Sequence, residues 1–123
     1  MANSLSHNAY ESLELEFYIP AAVWTHPATE HFLSDIYAMF EGATLLGGAK
    51  GVWKGQVETT NIVKVIVRKS KIQVGDALSL VQKAIDQLLR EWGESSRDRQ
   101  EAFIFTMREL ILHEARETRD GAR

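Results

Sequence analysis

The chain of 123 residues carries 17 acidic and 14 basic side chains, a formal net charge of -3, 45% hydrophobic residues and no cysteine. That charge balance gives no general attraction to nucleic acid or anionic lipid, and the lack of cysteine excludes disulfides, thiolate metal sites and a cysteine nucleophile. The apolar content suffices for one core, so a single domain is expected over 12–112, between a flexible N-terminal tail, 1–11, and a charged C-terminal tail, 113–123.

The start, MANSLSHNAYESLELEF, has no basic beginning, apolar core or small-residue cleavage pattern. No apolar run approaches the roughly 18 residues of a membrane helix. The expected setting is therefore cytoplasmic, without a membrane partner.

LELEFYI alternates strictly, with Leu13, Leu15, Phe17 and Ile19 on one face and Glu14, Glu16 and Tyr18 on the other, and Pro20 ends it. This is the pattern of a half-buried strand. THPATEHFLSDIYAMFEG follows, with Thr25 or His26 as a cap, Pro27 in the first turn and Gly42 as a stop. Its apolar stripe of Phe32, Leu33, Ile36, Tyr37 and Phe40 predicts an amphipathic helix.

ATLLGGAKGVWKG reads as a glycine-weakened second strand and TNIVKVIVRK as a stronger third. Asp76 is placed to cap a second helix, whose Leu78, Val81, Ile85, Leu88, Leu89 and Trp92 keep the helical period up to Gly93. A charged loop, ESSRDRQ, leads into a fourth strand, EAFIFTMREL. The order βαββαβ is that of the ferredoxin-like plait: a four-stranded antiparallel sheet in the order 4-1-3-2 with both helices on one face, an α+β fold.

In such a fold the uncovered face should be polar. Here it carries Tyr18, Ile62, Ile66 and Ile104, which predicts a cover, either the C-terminal segment LILHEARE folding back or, by preference, a second copy with Glu14, Glu16, Lys64 and Arg108 as paired charges. A homo-oligomer, dimeric by preference, is expected.

The segment GAKGVWKGQVE fits neither phosphate-binding motif. Lys50 follows Ala49 and Lys54 follows Trp53, where a P-loop needs Gly-Lys-Ser/Thr, and a strand follows where the dinucleotide fingerprint needs a helix. With Gly47, Ala49 and Gly51 two apart, the strand is expected to present one bare face, explained by packing, by a bulge or by a binding cleft. A small-ligand pocket, if present, is expected to use Tyr18, Trp53, Lys54 and Glu58.

Other chemistry has less support. His31 and Asp35, four apart on a helix, with His26 just before it, are weak metal candidates, and no metal or cofactor is expected. No G-x-S-x-G elbow is present. Glu58, Gln100 and Glu101 could supply an acid or base only if they meet in a cleft. Nucleic acid is not an expected partner, because the third strand offers valine and isoleucine where RNA-recognition plaits present aromatics.

Residues 42–58, GATLLGGAKGVWKGQVE, then the valine-rich strand and RQEAFIF, together resemble a family of small bacterial proteins of unknown function. The resemblance covers most of residues 13 to 110 and implies the fold without an activity. W-K-G-x-x-E, at Trp53, Lys54, Gly55 and Glu58, is similar to the second hairpin of the divalent-cation tolerance CutA family, trimeric ferredoxin-like proteins related in fold to PII signalling proteins. That family's early cysteine and its histidine-proline-tyrosine segment have no counterpart here, so no metal or nucleotide role is carried over. The expected function is a homo-oligomeric, non-catalytic binding or regulatory module. The alternative is a cofactor-independent enzyme of the dimeric α/β-barrel kind, acting on a small apolar substrate.

Overall fold

The computed structural model of the chain describes residues 4–100 and 102–118, without the side chains of Ser4, Trp53 and Thr118. The elements run β1 (Ser4–Pro20), a 3-10 turn (Ala21–Val23), α1 (Pro27–Met39), β2 (Gly42–Trp53), β3 (Gln56–Arg68), α2 (Val74–Gly93) and β4 (Ile104–Thr118). The strands form one sheet in the order β2-β3-β1-β4, each neighbouring pair antiparallel. This is the predicted α+β, ferredoxin-like arrangement.

Strict alternation in β1 sends Leu13, Leu15, Phe17 and Ile19 into the core, where they meet Val63, Val65 and Val67 of β3. Phe32, Leu33 and Ile36 of α1 and Val81, Ile85, Leu88 and Trp92 of α2 join the same cluster, which puts both helices on that face. Phe17 lies at its centre, with ring centroids 5.5 Å from Phe32, 6.2 Å from Phe103 and 6.0 Å from Phe105. The buried indole N–H of Trp92 donates to Thr29 Oγ1 (3.0 Å), whose hydroxyl donates to the Val23 carbonyl (2.6 Å). That chain satisfies the polar atoms of the core and ties the two helices to the turn after β1.

Several expectations are corrected. Residues 4–11 and 113–118, expected as tails, are strand: β1 pairs with β4 from Ser4↔Thr118 to Tyr18↔Ile104. The pairing of β1 with β3 starts only at Ser12, opposite Arg68, and does not extend to the residues before it. The outer ribbon is therefore two-stranded, buries no continuous face and leaves no alternating apolar signature.

Tyr37 is exposed instead of completing the α1 stripe. Gln73, not Asp76, is the N-cap of α2, and Asp76 lies in the first turn, where its charge complements the helix dipole. His26 caps α1 by accepting the Ala28 N–H at Nδ1 (3.0 Å). Among the described residues no helix is long and apolar enough to cross a membrane.

Candidate functional site

The face of the sheet away from the helices is built from Glu14, Glu16 and Tyr18 of β1, Thr60, Ile62, Lys64 and Ile66 of β3, and Ile104, Thr106 and Arg108 of β4. Its central charges pair within the chain. Arg108 Nε donates to Glu14 Oε1 at 2.8 Å, and Lys64 Nζ lies 3.5 Å from Glu16 Oε1. Both pairs join direct cross-strand partners, as the register dictates.

The Tyr18 hydroxyl donates to Glu16 Oε2 at 2.8 Å, which holds the Glu16 carboxyl below its ordinary range and, together with burial, raises the Tyr18 phenol. Apolar groups remain between the charges: Leu46 is 49% exposed and Ile104 44%.

At the end of this face nearest the β2–β3 hairpin, the sheet forms an open recess of about 460 Å³. Its lining includes Tyr18, Ala49, Gly51, Glu58, Thr60, Ile62, Gln100 and Ile104. The volume is in the range of small-molecule sites.

A β-bulge creates the space. The register passes from Leu46↔Ile62 to Ala49↔Thr60, so Gly47 and Gly48 together oppose the single residue Asn61. Gly48 takes a positive φ of 71°, open to glycine at little cost, and its N–H donates to Asn61 Oδ1 (3.2 Å).

One inserted residue reverses the parity of everything after it. Leu46, Ala49 and Gly51 come to share the open face, whereas Gly47 does not, which corrects the expected set of three. Lys50 turns to the opposite face, where its Nζ donates to Thr59 Oγ1 (3.1 Å). The bare positions at Ala49 and Gly51 form one wall of the recess. The glycine-rich stretch is thus both a bulge and the thin wall of a cleft.

The hairpin closes on Trp53↔Gln56 through Lys54 (φ 50°) and Gly55 (φ 78°). Positive φ at both central residues is the type I′ arrangement that suits the twist of a two-residue hairpin.

Of the four residues expected to form a pocket, Tyr18 and Glu58 line the recess together. Lys54 is exposed in the turn and does not line it. The Trp53 side chain lies outside the described residues, as does Glu101, the acid or base candidate beside Gln100. Sequence reasoning missed Thr60, Ile62, Ile104 and Thr106 as lining groups. Their signal, small or apolar residues at alternate positions of β3 and β4, is that of any sheet face.

His31 and Asp35 approach to 3.9 Å on the exposed side of α1. His26 points its Nε2 toward Asp98 at 3.9 Å instead. Among the described residues no group of three or more histidines and carboxylates is placed to hold a metal ion.

No family model matches the chain, and no curated protein matches its sequence. Solved structures do match. CPII from Thiomonas intermedia K12, a nitrogen regulatory PII-like protein, aligns in its apo form at 15% identity over 89% of this chain and 99% of that one, with a TM-score of 0.52. The same protein bound to ADP, AMP and bicarbonate aligns at 16% identity over 85% and 96%, with a TM-score of 0.51. CutA1 from Oryza sativa aligns at 11% identity over 85% of this chain and 82% of that one, with a TM-score of 0.48. The likeness to CPII shows a shared fold.

Proposed function

We propose that the chain is a non-catalytic binding module that self-associates through the open sheet face and holds a small molecule in the recess at its end. The observation that carries this reading is the coincidence of two features on one face. A recess of about 460 Å³ lies there, and Ile104 both lines it and remains 44% exposed. A second copy laid over this face would bury Leu46 and Ile104 and turn the open recess into an enclosed site.

Among the described residues the lining of the recess has one carboxylate, Glu58, and no histidine, a composition better suited to holding a ligand than to moving protons. The fold shared with CPII, a nitrogen regulatory PII-like protein solved with small molecules bound, supports a regulatory setting for such a module.

Native mass spectrometry of the purified full chain, set against its denatured mass, tests both halves of the proposal. The expected result is a clean multiple of the chain mass, and an excess mass per subunit would identify a retained ligand. A monomer at micromolar concentration would defeat the self-association half. An Ile104→Lys variant sharpens the assignment: it should shift the population to monomer while leaving the melting temperature of the fold nearly unchanged, because Ile104 lies outside the core.

A further inference from the structure

The chemistry of the recess points to one class of ligand. Among the described residues that line it, only Lys50 and Glu58 carry charge, and the bulge turns the Lys50 side chain to the far side of the sheet, onto Thr59. Glu58 pairs across the ladder with Gly51, so no side chain stands opposite it on β2, and it stays exposed on the recess face. The next cation along that face of β3, Lys64, already lies against Glu16 at 3.5 Å.

The side chains beside Glu58 are Thr60 and Ile62, with Ile104 on the far wall. A single carboxylate at the rim of a largely apolar trough repels phosphate and carboxylate groups and attracts an ammonium group through a charge-assisted hydrogen bond.

We infer that the recess takes a small organic amine, with its ammonium group on Glu58 and an apolar body lying over Ile62 and Ile104. This rests on the reading of the recess as a ligand site. It goes further by excluding anionic ligands from that position, the ADP and AMP of the structural neighbour included.

The test uses the full chain, labelled with nitrogen-15, titrated with 2-phenylethylamine, 2-phenylethanol, 3-phenylpropionate and ADP, following the amides of Gly51, Thr60 and Ile104 by NMR. The amine should move these amides and bind about tenfold more tightly than the alcohol, the order of a hydrogen bond to an ionised group. Glu58→Gln should bring the amine down to the level of the alcohol, with an unchanged melting temperature as the control for folding.

A Glu58→Gln protein that keeps the full preference overturns the inference. Tighter binding of 3-phenylpropionate or ADP at these amides also overturns it but leaves the recess as a ligand site. If none of the four probes moves the three amides, both the inference and the reading beneath it fall.

Discussion

The two faces of the same sheet solve different problems. On the helix side, Leu13, Leu15, Phe17 and Ile19 meet Val63, Val65 and Val67 under two helices, and these side chains are all but absent from the surface. On the open side the same strands carry Glu14, Glu16 and Lys64, neutralised in cross-strand pairs, with Ile62 and Ile66 of β3 and Ile104 of the neighbouring β4 beside them. Adjacent residues of one strand therefore differ in what a substitution costs, stability on one side and recognition on the other.

The covered face should give the largest effects. Phe17→Ala removes a fully buried ring that touches three others, and we expect a loss of about 3 to 5 kcal/mol in urea or thermal unfolding. A loss below about 1 kcal/mol would mean that the aromatic cluster is not the centre of the core.

Thr29→Val keeps the volume but strips the Trp92 indole N–H of its acceptor and the Val23 carbonyl of one of its two donors, the His26 N–H remaining. Unfolding should show a cost of about 1 to 3 kcal/mol, and Trp92→Phe in the same background should recover part of it by removing the orphaned donor. Next comes the hairpin: Gly55→Ala at φ 78° should cost on the order of 1 kcal/mol, whereas Gly93→Ala at the end of α2, where an added methyl meets nothing within 4 Å, should cost less.

The open face should give the smallest change in stability, and a change that depends on pH. The Glu16 carboxyl is held below its ordinary value of 4.5, chiefly by the Tyr18 hydroxyl; burial opposes this, and the charge and hydrogen bond of Lys64 add smaller lowering contributions. A depressed carboxyl stabilises the fold above the unfolded-state value, and that contribution is lost as pH falls through the folded-state value. Tyr18→Phe should therefore flatten the acid limb of the stability curve below about pH 4.5 by less than about 1 kcal/mol, since solvent still reaches the Glu16 carboxylate and screens it. Unfolding midpoints in urea between pH 2 and 7 would show this. Equal acid limbs in wild type and variant would mean that the Tyr18 bond contributes nothing in solution.

The candidate site was only partly legible in advance. Tyr18 and Glu58 were accessible because each stands on a strand whose period is unbroken. The loss of Gly47 from the bare face, the turning away of Lys50 and the opening of the recess at Ala49 and Gly51 all follow from a single inserted residue. A two-residue period carries no mark of where such an insertion falls, and in GGAKG every glycine is an equal candidate.

By itself the sequence determined the βαββαβ order, the buried faces of β1 and β3 and the helical stripe of α2, because each is a local period that must match a dry surface. Only the tertiary structure decided the outer ribbon of 4–11 with 111–118, the start of α2 after Gln73 and the exposure of Tyr37. These depend on which strand runs alongside and where the helix layer ends. Hydrogen bonds between residues a hundred positions apart, like an apolar ring that finds no neighbour to cover it, leave no periodic trace in the chain.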